Sequence, residues 1–148
     1  MRKLRKIAGV AAGSAALGAA AMVVAPGTAD AAPVPCGRKV SACIDLSANQ
    51  AWLMSAGRAT YGPVPITTGR PGYETPVGTF RVTYKDIDHW SKPYNGPMPY
   101  SVFFTQSGIA FHEGSLSVQS HGCVHLSHTA AVKFFNVLQP GEVVAVEP

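Results

Sequence analysis

A single thiol lies inside a cluster of imidazoles. Phe111-His112-Glu113-Gly114 is followed, eight residues after His112, by Ser120-His121-Gly122-Cys123-Val124-His125-Leu126. A cysteine attacks as the thiolate, and a nearby base or a positive field makes that form available near neutral pH. Acyl transfer at Cys123 would also need donors for a developing oxyanion and an acyl group held still. His112, at the end of a predicted strand, is the candidate base. Gly122 lets the backbone approach a substrate closely, so the amides of Gly122 and Cys123 are candidate oxyanion donors, with the Tyr100 hydroxyl as a third. His121, two residues from the thiol, would share its face on a strand and shape the cleft. Ser120 is expected as a structural hydrogen-bonder, and it is grouped with Tyr100, His121 and His125 in the expected substrate-binding set.

The elements that must position these residues read as strands with turn punctuation. Val40–Leu46 and Gln50–Ser55 suit a hairpin across Ser47-Ala48-Asn49. Ala59–Thr67 contains Pro63 and Pro65, which confine it to an edge or bulged strand. Thr79–Tyr84 alternates polar and apolar residues as a half-buried strand does. Residues 86–99 carry Asp86, Asp88, Asn95, Gly96, Pro93, Pro97 and Pro99, and their composition reads as a long functional loop. Ser101–Thr105 and Ile109–His112 are two further strands. One helix is expected: Ser127 can cap it, and His128–Leu138 has apolar residues at 131, 134, 135 and 138. Pro140-Gly141 ends it, and Glu142–Val146 is a closing strand. The expected fold is mainly β with one packed helix near the C-terminus.

Residues 1–31 read as a secretory signal peptide. Arg2, Lys3, Arg5 and Lys6 precede an uncharged Ala/Gly/Val-rich run from Ile7 to Ala25, and Ala29-Asp30-Ala31 offers a cleavage site. The alternative is a retained membrane anchor. The leader holds four basic residues and Asp30, so the formal charge of +4 falls to about +1 after its removal. The basic balance is therefore no nucleic-acid footprint. Residues 32–39 are a short mature N-terminal segment, and residues 40–148 suffice for one domain with one core. In an exported chain Cys36 and Cys43, close in sequence, are candidates for a disulfide, which leaves Cys123 as the free thiol.

The histidine, spacer and Ser-His-Gly-Cys pattern at His112, Ser120, His121, Gly122 and Cys123 resembles the signature of the L,D-transpeptidases of bacterial cell walls, with a YkuD-type catalytic domain. Asp45-Leu46-Ser47 with Gln50, Thr67-Thr68-Gly69, Thr75-Pro76-Val77-Gly78-Thr79-Phe80 and Met98-Pro99-Tyr100 resemble further stretches of that family. The resemblance implies a YkuD-like β-sandwich or barrel. It implies Cys123 as nucleophile and His112 as proton donor and acceptor, with the ring oriented by the Glu113 backbone carbonyl; the Glu113 side chain as a triad acid is the alternative. It also implies peptidoglycan stem peptides as substrates, release of D-Ala from a tetrapeptide stem, a 3–3 cross-link, and acylation of the same thiol by carbapenem-type β-lactams. No cofactor is expected, no nucleic-acid partner, and a monomer located in the extracellular or cell-wall space. One departure stands out: the family usually has Arg or Asn two positions after the cysteine, where this chain has His125. That group is expected to hold a polar substrate group or brace the loop, and a histidine makes either pH-dependent. The spacer between His112 and Ser120 is short, which predicts a small flap.

Other functions remain open on the sequence. Water as acceptor would make the same machinery an L,D-carboxypeptidase. A secreted wall-binding protein with a relict site would keep the fold without the reactive thiol. His112, His121, Cys123, His125 and His128 hold enough nitrogen and sulfur for a metal, although His121-Gly122-Cys123 is tight for two ligands on one metal and no CxxC spacing is present, and no metal is expected. In papain-like and NlpC-type peptidases the cysteine precedes the histidine, the reverse of the order here.

Overall fold

The computed structural model describes residues 33–148. The signal-peptide expectation for residues 1–31 lies outside the described residues. Ala42–Asp45 (β1) and Gln50–Ser55 (β2) form the expected antiparallel hairpin. Arg58–Pro65 (β3) pairs with β2 through a shifted register and forms a sheet edge. That is where Pro63 and Pro65 can be tolerated, because no further neighbour needs their missing N–H. Gly78–Arg81 (β4) lies at the opposite edge.

Tyr84–Ser91 (β5) and Gly96–Phe103 (β6) form a long antiparallel hairpin over residues expected to be an irregular loop. The prolines do not prevent it. Pro97 and Pro99 occupy alternate positions opposite Trp90 and Asp88, on a stretch of β6 that β7 does not reach, since β7 pairs only at Val102 and Phe103. A strand tolerates Pro where its amide would point away from any partner. Ala110–Glu113 (β7) and Val124–Leu126 (β8) complete this second sheet in parallel register, with His112 opposite His125. The short strand β8 is absent from the sequence expectation; three residues carry too little periodicity to read.

His128–Val137 (α1) begins where expected, with the Ser127 side chain accepting the Ala130 amide. Val143–Glu147 (β9) then enters between β1 and β4, parallel to β1. The first sheet runs β3-β2-β1-β9-β4 and the second β5-β6-β7-β8. Among the described residues, two sheets with one short helix make the fold mainly β, as expected. Apolar faces of both sheets and of the helix meet in one core around Ile44, Leu53, Val102, Phe104, Phe111, Leu126, Phe134 and Val144, all nearly or fully buried. Phe111 stands 5.0 Å from both Phe104 and Phe134 between ring centroids. It thereby fixes β7 in the core and, by alternation, aims its neighbours Ala110 and His112 the other way.

A disulfide joins Cys36 to Cys43, with an S–S distance of 2.01 Å. It ties the N-terminal segment to β1 beside a satellite cluster of Trp52 and Met54.

Candidate active site

The face of β7 opposite Phe111 carries His112, and the turn before β8 carries Cys123. Both line one cleft of about 410 Å³ with His89, Tyr94, Met98 and Phe103. Cys123 packs on Met98, Phe103 and Ala110, so β6 and β7 of the second sheet converge on the thiol. His112 is 6% exposed. Its Nδ1 donates to the Glu113 carbonyl at 2.7 Å, which leaves Nε2 as the lone-pair nitrogen. The Glu113 carboxylate does not take part: it accepts from His128 Nδ1 at 2.8 Å. The carbonyl alternative therefore describes the ring's orientation, and the triad-acid alternative does not.

Burial sets the protonation of the pair. It pushes the His112 imidazole down to about 4; the bond to Glu113 resists this, and neighbouring His125 and His89 add to it. Burial also raises the Cys123 thiol above its ordinary value, against a hydrogen bond from the Ala110 backbone. The resting pair is thus a neutral thiol beside a neutral imidazole.

The turn that carries the thiol is held by its own backbone. Gly122 adopts φ +118, a backbone conformation that strains any residue with a Cβ, and a Cβ there would also press on Ile109 Cδ1 at 2.6 Å. Its N–H donates to Ser120 Oγ at 3.0 Å, and its carbonyl accepts from Thr75 Oγ1 at 2.7 Å. This corrects the expectation for Gly122 as an oxyanion donor: the sharp turn folds its amide back onto Ser120. The Cys123 amide is then the nearer candidate. Ser120 lines the cleft, and its side chain is buried; its hydroxyl also donates to the Cys123 carbonyl at 2.5 Å, so it braces the turn as the structural hydrogen-bonder expected.

Tyr100 is a second correction. Its ring packs edge-on against His128 and Phe135 of α1, at 5.6 and 5.8 Å, and it is not among the cleft residues. The reason is local: Tyr100 has φ +57, and a left-handed residue interrupts the alternation of β6. Met98 and Phe103 consequently both face Cys123, and Tyr100 turns to the helix.

His121 does line the cleft, but not through strand alternation, since β8 begins only at Val124. Arg70 Nη2 donates to its Nε2 at 3.0 Å. Tyr94 stacks on it at 4.0 Å, and Tyr73 meets it edge-on at 4.9 Å. Tyr94 stands at the tip of the β5–β6 hairpin, so this stack joins the hairpin to the thiol-bearing turn across the cleft. His125 also lines the cleft. Its Nδ1 donates to the Ser115 carbonyl at 2.9 Å, and its ring meets His112 edge-on at 4.8 Å. Of the two expected roles it performs the bracing of the short flap. Gly114 makes room for it: a Cβ there would lie 2.6 Å from the His125 ring.

Thr75, Arg70, Tyr73, Tyr94 and His89 went unread as site residues. Thr75 sits in the Thr-Pro-Val-Gly stretch, and Tyr94 and His89 in the Pro-rich segment already marked as functional; their roles depend on contacts between distant segments. Among the described residues no three of His, Cys, Asp and Glu converge to hold a metal ion.

A family model described as the L,D-transpeptidase catalytic domain, YkuD, matches residues 39–146. Probable L,D-transpeptidase 3 of Mycobacterium tuberculosis H37Rv is 30% identical over 105 residues, covering 58% of this chain and 39% of its own. The crystal structure of an L,D-transpeptidase from Stackebrandtia nassauensis is 29% identical, with a TM-score of 0.70 over 76% of this chain and 58% of that one. An LD transpeptidase solved in complex with imipenem is 25% identical, with a TM-score of 0.66 over 72% of this chain and 57% of that one. The chain spans less than two thirds of each of these proteins. With its fold, its cleft and its match over residues 39–146, the chain belongs to the L,D-transpeptidase family with a YkuD catalytic domain.

Proposed function

We propose that this protein is a cysteine-dependent L,D-transpeptidase that forms 3–3 cross-links in peptidoglycan. The observation that carries the reading is the pairing of Cys123 and His112 on one cleft, with His112 fixed by the Glu113 carbonyl. Cys123 Sγ attacks the carbonyl between the third residue of a tetrapeptide stem and its terminal D-Ala. Because thiol and imidazole are both neutral at rest, the proton moves to His112 Nε2 as the C–S bond forms. The oxyanion is held by the Cys123 amide. As the tetrahedral species collapses, His112 returns the proton to the departing D-Ala amine. The amine of a neighbouring stem then resolves the thioester. The imipenem complex of a relative supports a β-lactam-reactive thiol in this cleft as well.

Export is part of the proposal. It is supported by the leader-like residues 1–31 and by the Cys36–Cys43 disulfide, a state that persists in oxidising spaces.

The experiment is intact-mass spectrometry of the secreted protein, with and without imipenem, for wild type and Cys123→Ala. The expected result is a chain beginning at Ala32, with one covalent adduct in the wild type and none in the mutant. A thiol that stays unmodified in the wild type would sink the acyl-enzyme reading.

A further inference from the structure

The proposed reaction contains one proton transfer that His112 does not cover. This inference rests on the transpeptidase reading above. In acylation His112 takes the thiol proton and passes it to D-Ala, so it ends neutral. The acceptor amine arrives at neutral pH as an ammonium, R–NH3+, with no lone pair. It must lose one proton before it attacks and a second as the amide forms. His112 accounts for the second, which it returns to Sγ as the C–S bond breaks. A further base at the cleft that takes the first lets the abundant ammonium form react, not only the small neutral fraction. An imidazole held neutral by burial, as His112 is, is a weak acceptor for it.

His89 is placed to be this further base. It stands on β5 opposite Met98, and its ring packs edge-on against Phe103 at 4.8 Å. Met98 and Phe103 are the side chains packed on Cys123, so His89 is one side chain removed from the thiol, on the wall of the same cleft. Its Nδ1 donates to Asp86 Oδ2 at 3.0 Å. The other Asp86 oxygen accepts the Asp88 amide at 3.2 Å, so the carboxylate is itself held by the backbone. That leaves Nε2 as the accepting nitrogen. The side chain is 27% exposed, which gives a bound proton a route to solvent. An imidazole held through Nδ1 by an oxygen thus occurs twice around one cleft, with the Glu113 carbonyl at His112 and the Asp86 carboxylate at His89, and the second is the base–acid pairing of a catalytic triad.

We propose that His89, oriented by Asp86, is the general base that takes the first proton from the acceptor ammonium, so that acylation and aminolysis use different imidazoles. The step balances. R–NH3+ gives one proton to His89 Nε2, which releases it to solvent. The freed lone pair attacks the thioester carbonyl and the C–N bond forms. The C–S bond breaks as His112 carries the second N–H proton to Sγ, which regenerates the thiol.

The test separates the half-reactions. With a tetrapeptide stem as donor and the side-chain ammonium of Nα-acetyl-lysine amide as acceptor, His89→Gln should release its first equivalent of D-Ala within about twofold of the wild-type rate. Amide product should then form at least ~10-fold more slowly, with the thioester accumulating by mass. With hydroxylamine as acceptor, which carries a free lone pair at neutral pH, the variant and wild type should turn over alike. Asp86→Asn should repeat the pattern at smaller amplitude, and it keeps the test open if His89→Gln does not fold. Equal deficits with both acceptors would mark His89 as structural only, and no deficit with the ammonium would mark it as idle. Either overturns the proposal and leaves the transpeptidase reading standing. A wild type that releases no D-Ala with either acceptor would remove both.

Discussion

Burial acts on the two side chains of the proposed pair in complementary directions, pushing the His112 imidazole down to about 4 and the Cys123 thiol above its ordinary range. Two outcomes follow for single residues. The acid limb of the acylation rate should fall near pH 4, not near the ordinary histidine value, because the base is lost only when His112 takes a proton. A pH profile of imipenem adduct formation reads this directly; a limb centred near 6.5 would mean that His112 is not buried in solution. The resting enzyme should also show no thiolate absorbance at neutral pH, unlike a cysteine–histidine ion pair. Gly114 supplies a steric test. In Gly114→Ala the new Cβ meets the His125 ring, which the Ser115 carbonyl holds in place. Overpacking of this kind costs about 1–3 kcal/mol, so the thermal midpoint should fall and the acylation rate with it. At this scale the sequence was informative about residue types. His112, Cys123 and His125 are where their spacing put them, because β7 and β8 are short and regular. Gly122 and Tyr100 were misread because both have positive φ: the turn folds the Gly122 amide back onto Ser120, and the break in β6 turns Tyr100 to the helix.

Two elements decide how firmly those residues are held. The disulfide closes a short loop at a sequence separation of 7, remote from the cleft. Removing it in a Cys36→Ala/Cys43→Ala variant should cost roughly 2–3 kcal/mol, with a midpoint lowered by about 10 °C and the imipenem adduct still formed at Cys123 in the folded protein. A variant that folds normally but does not acylate would show that the N-terminal segment reaches the site. The β5–β6 hairpin is the second element. Its tip meets the thiol-bearing turn through Tyr94 stacked on His121, so Tyr94→Ala should raise KM for a stem peptide several-fold with little change in stability, as read by steady-state kinetics beside a thermal melt. Local composition misrepresented this element. Three prolines, a glycine and an asparagine read as a loop, yet cross-strand pairing from Tyr84↔Phe103 to Ser91↔Gly96 outweighs local propensity once the prolines fall on the unpaired side. The helix was legible by contrast, because Ser127 and the apolar spacing act within one turn of each other.

Over the whole molecule the same histidine links the site to stability. The folded chain holds His112 neutral to about 4, whereas the unfolded chain accepts its proton near 6.5. Between those values the unfolded state binds more protons, so stability is full above about pH 6.5 and declines as pH falls toward about 4. This one group accounts for roughly 3 kcal/mol of the decline. Urea midpoints measured from pH 7 to 4 on wild type and His112→Gln should show a shallower slope in the variant; equal slopes would assign the acid sensitivity to other groups. The sequence by itself determined the mainly β class, the single helix, the hairpin of β1 and β2, the edge position of the Pro-containing β3, and the thiol with its imidazole. Each of these is written in local periodicity, turn residues or short spacing. The tertiary structure alone decided that β9 inserts between β1 and β4, that Thr75 clamps the turn before Cys123, and that His89 and Tyr94 reach the cleft from the far hairpin. Those features are contacts between segments distant in the chain, and they form only when one shared core fixes both sheets at once.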